Sequence, residues 1–250
     1  MEKTQKILTA AQVRNKTLLS FLFLFLFIAA SVFTWKWLQK QPTEQAALKP
    51  LRKVLDVNES IFSGMFNSNR LAKTYRKEQA VSKVRVNGNY GMSEGFDPAS
   101  WKLTLVKANG DSLFISLDEI KKLPRTEIIF NFKCIEGWSQ VTHWGGVRFS
   151  DFAKKYGLVE ETQLQFAGLR TPDNEYYVGL DMKSMMHPQT LLCYEMNNAP
   201  LPMNQGYPLR LIIPVKYGVK HLKRIGTMFF SNSRPPDYWY ERGYDYYCGL

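Results

Sequence analysis

Cysteine and histidine are scarce in this chain, three of each among 250 residues. Cys134, Cys193 and Cys248 cannot make the dense disulfide framework that staples small secreted domains, although one pair plus a lone thiol is open. No CxxC occurs, and His143, His187 and His221 are scattered, which removes a zinc site of ordinary spacing. Acidic residues are also few, 22 against 33 Lys and Arg, and none lies between Glu195 and Asp237. There is no internal repeat. A hydrophobic content of 45% excludes a disordered chain and suffices for one large packed domain plus an accessory segment.

The excess of positive charge, +11 overall, is uneven. Residues 1–40 carry Lys3, Lys6, Arg14, Lys16, Lys36 and Lys40 against Glu2 alone. A nucleic-acid surface needs a basic stripe interleaved with aromatics on one face; these cations instead flank the one long apolar run. From Thr17 to Trp35 no charge occurs, and as a helix at ~1.5 Å per residue the run reaches roughly 28 Å, close to the hydrocarbon thickness of a bilayer. Trp35 and Trp37 fall where an interfacial aromatic belt lies, and the positive residues before the run predict a cytoplasmic N-terminus with the folded part outside. Ala29-Ala30-Ser31 offers a signal-cleavage alternative, against which Val32-Phe33-Thr34-Trp35 continues the apolar stretch. The expected organisation is a cytoplasmic tail over 1–16, a transmembrane helix over 17–37, a linker and N-terminal segment over 38–80, and a folded domain over 81–250.

Residues 38–60 read as a polar juxtamembrane linker with one helical turn, and a helix is expected within 61–80. Val84-Arg85-Val86-Asn87-Gly88 and Trp101-Lys102-Leu103-Thr104-Leu105-Val106 alternate as half-buried strands do. Ser112–Ile115 follows the turn Asn109-Gly110-Asp111 as another strand. Ser116 with Glu119 forms a capping box that opens a short helix. Glu127–Phe132 is a strand that delivers Cys134 at or just past its end, where a rigid element supports an exposed side chain. Val147–Gly157 reads as a helix capped by Ser150 and stopped by Gly157, and 164–168 and 176–180 as strands. The sum is an α+β domain.

Two stretches carry chemistry. Taken alone, Cys134 is most simply a small buried hydrophobe, and its neighbours Phe132-Lys133-Cys134-Ile135-Glu136-Gly137-Trp138-Ser139 change that reading. The second stretch is Pro208-Leu209-Arg210-Leu211-Ile212-Ile213-Pro214-Val215-Lys216-Tyr217-Gly218-Val219-Lys220. There, Arg210 and Lys216 are embedded among apolar residues, and cations so placed need an anionic partner to offset desolvation. A charge run of this kind is otherwise a solvated face. His143 and His187 read as polar loop or satisfied core residues, and the aromatic tail Arg234–Tyr240 with Tyr244 as packing.

Together the two stretches resemble the molybdopterin-binding domain of the sulfite oxidase superfamily. Cys-Ile-Glu-Gly-Trp-Ser followed by Trp144-Gly145-Gly146-Val147 is most similar to the branch of periplasmic methionine sulfoxide reductases. The resemblance covers about Val81 to Tyr247 and implies a mixed-sheet, sulfite-oxidase-type fold with a molybdenum-molybdopterin cofactor. It implies Cys134 as metal ligand, Glu136 and Trp138 at the substrate mouth, and cofactor contacts from Arg210, Lys216, Gly218, Val219, Lys220 and Gln205. Asn69, Arg70 and Gly168 occupy further places where relatives approach the pterin. The implied activity is two-electron oxygen-atom transfer, with sulfoxide reduction first, on a small-molecule or protein-bound oxidised sulfur substrate. Electrons would come from a membrane haem or cytochrome partner. The expected location is the inner membrane, single-pass, with the domain facing the periplasm, and no nucleic acid is expected as partner. Glu136 and Trp138 replace the arginine-rich stretch of sulfite oxidases, and Gln205-Gly206 departs from the usual His-Gly or Asn-Gly. Only Arg14-Asn15-Lys16 stands where a twin-arginine export signal would. The chain is expected to end with the cofactor domain, without a second domain for dimerisation. A non-catalytic module that kept the fold, or a sulfite-oxidising enzyme, are the alternatives.

Overall fold

The computed structural model describes residues 8–86 and 88–250 and contains two compact units, one ending at Val54 and one of Leu55–Leu250. In the first, α1 (Ala10–Gln39) is a 30-residue helix without a buried residue, long and apolar enough to cross a membrane. It begins before the apolar run because Thr9 and Gln12 form a reciprocal capping box, each side chain accepting from the other's backbone N–H. Two minimal strands follow, β1 (Thr43–Glu44) and β2 (Ala47–Leu48), paired antiparallel. Where a linker with one helical turn was expected, α2 (Lys49–Gly64) runs for 16 residues. Apolar residues at Leu51, Val54, Ile61 and Met65 recur with helical period, which outweighs the polar composition.

In the second unit, β3 (Leu103–Val106) and β4 (Ser112–Ile115) form a hairpin. Next comes α3 (Leu117–Lys121), whose Ser116–Glu119 capping box forms as the sequence predicts. The long hairpin of β5 (Arg125–Lys133) and β6 (Ser139–Arg148) has Cys134 at its tip. Then come α4 (Phe149–Lys155), β7 (Phe166–Arg170), β8 (Tyr177–Asp181) and α5 (Met182–Met185). Last are β9 (Leu191–Met196), β10 (Ala199–Pro200), β11 (Arg210–Ile212) and β12 (Thr227–Ser231). The first sheet runs β10-β9-β6-β5 with β11 also on β9, and the second runs β4-β3-β12-β7-β8. All pairings are antiparallel except β3 with β12. The fold is mixed α+β, as expected.

Several local expectations fail for identifiable reasons. Val84–Val86 form no strand; Val84 is instead a single buried plug in a small core, and Asn87 lies outside the described residues. Val147 and Arg148 end β6, so α4 begins at Phe149 and Ser150 lies inside it rather than capping it. Gly157, at φ 64°, still ends the segment. The helix expected within 61–80 is only the last turn of α2 and a 3₁₀ turn at Lys77–Gln79.

The period-two rule sorts the first sheet's residues into two cores. Leu192, Tyr194, Leu209, Leu211 and Ile213 enter the large core with Leu103, Leu105, Leu169 and Met228. Leu191, Cys193, Ile212, Ile128, Phe130 and Trp144 enter a smaller core on the opposite face, with Phe132 packed against it. Arg210, next to Leu211 in β11, is thereby turned to that opposite face.

A candidate redox-cofactor cleft

Cys134 continues the alternation of Phe130 and Phe132 one step past the strand, so its thiol follows the face of the smaller core. The hairpin tip is tight: the N–H of Cys134 donates to Trp138 O at 2.9 Å, and Gly137 N–H donates to Cys134 O at 3.1 Å. Gly137 sits at φ 89°, a region costly for any residue with a Cβ. The result fixes Cys134 at 4% exposure in the wall of a cleft with a cavity volume of about 240 Å³. Cys134, Ile135, Glu136, Phe132, Gly218, Val219, His221 and Lys223 share that wall with the aromatics Tyr90, Tyr176, Trp239 and Tyr244.

Electrostatics at the thiol pull both ways. Burial pushes Cys134 up from its ordinary pKa; the backbone N–H groups of Glu136 and Ile135 and the guanidinium of Arg85 favour the thiolate. The side chains around the tip brace one another. Trp138 Nε1 donates to Glu136 Oε2 at 3.1 Å, the Trp138 ring stacks on Phe132 with centroids 5.9 Å apart, and Arg85 lies 4.9 Å over Trp138. Gly218 faces the Phe132 ring, where an added Cβ would come within 2.8 Å. The Tyr176 hydroxyl donates to Val219 O at 2.6 Å and fixes that carbonyl at the cleft wall.

Behind the wall lies a positive cluster. Arg210 is 3% exposed and donates to Gln205 O and Gln205 Oε1, both at 3.0 Å, with its guanidinium 4.4 Å over the Trp144 ring. Among the described residues it makes no ion pair, and its Nε has no partner. Burial brings Arg210 down to about 10. Burial and Arg210 together push His221 down to about 3 and Lys223 to about 7. His221 is therefore neutral at physiological pH. It stacks on Phe130 at 6.1 Å, meets the Phe132 ring edge-on at 4.7 Å, and bridges Arg210 to the cleft wall.

The structure brings some of the sequence-selected residues together and not others. Cys134, Glu136, Gly218 and Val219 line the cleft, and Trp138 braces it. Gln205 and Arg210 lie behind it, Gln205 also donating to Val84 O at 3.2 Å. Lys216 and Lys220 point elsewhere. Lys216 pairs with Asp181 at 2.7 Å, and Lys220 pairs with Asp237 while donating to Gly179 O at 3.0 Å. For these two the anionic partner demanded by burial is a carboxylate of the same chain. Gly168 lies in β7, where the Phe229 ring fills the space of its missing side chain. Arg70 lies beside His187, whose Nε2 is 3.4 Å from Arg70 O, and the Asn69 N–H donates to Asn67 Oδ1 at 2.9 Å. None of these five lines the cleft. Sequence reasoning missed Tyr90, Lys223, Trp239 and Tyr244 as cleft residues. For the last three the signal was the aromatic and basic density of 216–244, which by itself suits packing as well; for Tyr90 there was none.

Residues 90–239 match the family described as "Oxidoreductase molybdopterin binding domain". The chain belongs to this family. A protein of Azospira oryzae named as a candidate protein-methionine-sulfoxide reductase subunit, YedZ1, is 32% identical over 194 residues, covering 77% of this chain and 73% of that protein. The protein-methionine-sulfoxide reductase catalytic subunit MsrP of Campylobacter jejuni is 32% identical over 162 residues, covering 59% and 54%. Mitochondrial sulfite oxidase of Rattus norvegicus is 29% identical over 175 residues, covering 59% and 32%. The chain thus spans about half of the MsrP relative and a third of the sulfite oxidase. Among solved structures, the sulfane dehydrogenase SoxCD of Paracoccus pantotrophus shares the fold at TM-score 0.50 and 16% identity, covering 56% of this chain and 40% of that one.

Membership makes the chain an oxidoreductase of the molybdopterin-binding type, and the family implies a molybdenum cofactor. The residues present fit such a group. Once deprotonated, Cys134 would offer a soft anionic ligand, with N–H groups aimed at its sulfur. Among the described residues no group of three or more His, Cys, Asp or Glu is placed to hold a metal. The aromatic walls suit a flat heterocycle, and the buried, unpaired Nε of Arg210 suits an anion.

Proposed function

We propose that the second unit is the catalytic domain of a membrane-anchored molybdenum-molybdopterin enzyme that reduces sulfoxides outside the cytoplasm. The net reaction takes two electrons and two protons to convert a sulfoxide into a thioether and water. When bound, the cofactor would supply the two-electron redox chemistry of this reduction. Cys134 would ligate the metal, and the rigid hairpin tip holds its sulfur in one direction. Gly218 and Val219 would offer their backbone to the cofactor at the cleft wall, and Arg210, held by Gln205, would contribute buried positive charge. Glu136 and Trp138 shape the mouth. A carboxylate there repels an anionic substrate such as sulfite and tolerates a neutral sulfoxide, which favours reduction of a sulfoxide over oxidation of sulfite. Lys216 and Lys220 act through Asp181 and Asp237, which hold the 214–221 segment against the sheet and so position Gly218. Asn69, Arg70 and Gly168 would reach the cofactor only after rearrangement. Electrons come from a membrane haem protein, and the inner membrane holds α1.

The observation that carries this reading is Cys134, fixed in the wall of an aromatic cleft with buried positive charge behind it. The test is molybdenum content and activity of the full chain made in a cofactor-competent bacterial host. Near one molybdenum per chain, with methionine sulfoxide turnover from an artificial donor, is expected. Cys134→Ala should lose the metal and at least 10³-fold in rate. Absence of metal beside a fully loaded control enzyme would leave a binding module instead. Sulfite-dependent cytochrome reduction without sulfoxide turnover would reverse the substrate assignment.

A further inference from the structure

Helix α2 is turned inside out with respect to an ordinary surface helix. Its polar side faces the body of the second unit: Glu59 accepts from Arg234 at 2.7 Å, and Ser60 and Ser63 line a groove with Gln163, Gln165 and Lys183. Its apolar side faces out, with Val57 58%, Ile61 52%, Phe62 58% and, just past the helix, Met65 72% exposed. At 100° per residue these four fall on one side, and Leu51 and Val54 continue the stripe toward the N-terminus. Solvent does not favour such a stripe, and a core-facing helix presents it inward.

We propose that this stripe of α2 lies in the membrane interface, with Val57, Ile61, Phe62 and Met65 at the boundary between lipid headgroups and acyl chains. The inference rests on the reading of α1 as a membrane span and adds a second contact with the bilayer. Three observations select lipid over a protein partner. Only Lys40–Leu48 separates α2 from α1, so the helix is tethered to the bilayer surface. The stripe is one helix wide, and the helix is of low overall hydrophobicity with a strongly polar opposite side, the make-up of an interfacial helix. Its N-terminal end carries Lys49 and Lys53, both exposed and suited to lipid phosphates. Docked in this way, α2 would fix the height of the catalytic unit above the bilayer, which matters for electron delivery from within the membrane.

The test uses the full chain in lipid nanodiscs, with single cysteines carrying an environment-sensitive fluorophore under conditions in which the wild-type chain takes none. Quenching is read with lipids brominated near the headgroup or near the acyl end. Ile61→Cys and Met65→Cys should be quenched by shallow bromines at least threefold more than Ser60→Cys on the polar side. Leu24→Cys, in α1, should be quenched by deep bromines. Quenching at position 24 with equal, weak quenching at 60, 61 and 65 would overturn the proposal while leaving the span intact. That result would also be the signature of a stripe awaiting a protein. No quenching at 24 would remove the span and the proposal with it.

Discussion

Three cations of one short segment share deep burial yet meet different fates. Lys216 and Lys220 have carboxylates within the chain, whereas Arg210 has carbonyl and amide oxygens but no ion pair among the described residues. Removing one partner of a buried ion pair leaves an uncompensated charge, which costs about 3–5 kcal/mol. Lys220→Met should therefore destabilise the cofactor-free chain by that amount, because Asp237 would keep only the N–H groups of Gly179 and Tyr240. Arg210→Met removes a charge that no carboxylate balances. It should lower the cofactor-free midpoint far less while cutting molybdenum retention at least tenfold. Urea unfolding of both variants, set beside their metal content, separates a structural cation from one that serves the cofactor. Equal destabilisation with unchanged metal content would make Arg210 structural.

At the scale of elements, β5 is tied to its surroundings by a charged network on its outer side. Arg125 reaches Glu195 of β9 at 2.6 Å and Glu127 at 2.6 Å, and Lys77 reaches Glu127 at 2.9 Å. Hydrogen bonds from Lys77 and Arg125 hold Glu127 down at about 2, against an ordinary value of 4.5. A carboxylate depressed on folding contributes stability that is fully present above its unfolded pKa and is lost as pH falls through the folded one. Glu127→Gln should thus cost about 1–2 kcal/mol at pH 7, allowing for solvent screening at a partly exposed site. The gap from wild type should close between about pH 4.5 and pH 2, as followed by unfolding at several pH values. A gap unchanged at pH 2 would mean the loss is one of packing.

The same strand shows what the sequence carried and what it did not. β5, β4, α3 and the approach to Cys134 were legible because their signals are local: β-branched and aromatic runs, a capping box and a turn glycine. Strands β6 and β9 drew no such reading, since segments buried on both faces over most of their length lose the alternation that marks a strand. The helix expected from Val147 was misplaced because Phe149–Lys155 is short and its cap position is Arg148, whose side chain makes no capping bond. In the site, the cysteine segment was readable from its own neighbours. The aromatic wall was not, because Tyr90, Tyr176, Trp239 and Tyr244 come from segments far apart in the chain and meet only through the fold.

For the molecule as a whole, charge and hydropathy point to one arrangement. Arg14 and Lys16 precede the apolar part of α1, Lys36 and Lys40 follow it, and the larger share of N-terminal positive charge, including Lys3 and Lys6, lies ahead of the run. The cost of moving positive juxtamembrane residues outward orients such a helix with its N-terminus inside. No residue of α1 is buried, which in water would be a severe aggregation liability and suits a helix surrounded by lipid. The full chain should therefore stay with the membrane through carbonate washing and leave it only in detergent. In spheroplasts, external protease should digest the second unit while an N-terminal tag remains protected. Release by carbonate would mean that α1 does not span. Digestion of the tag with protection of the second unit would reverse the orientation and place the cleft in the cytoplasm, where a periplasmic sulfoxide could not reach Cys134.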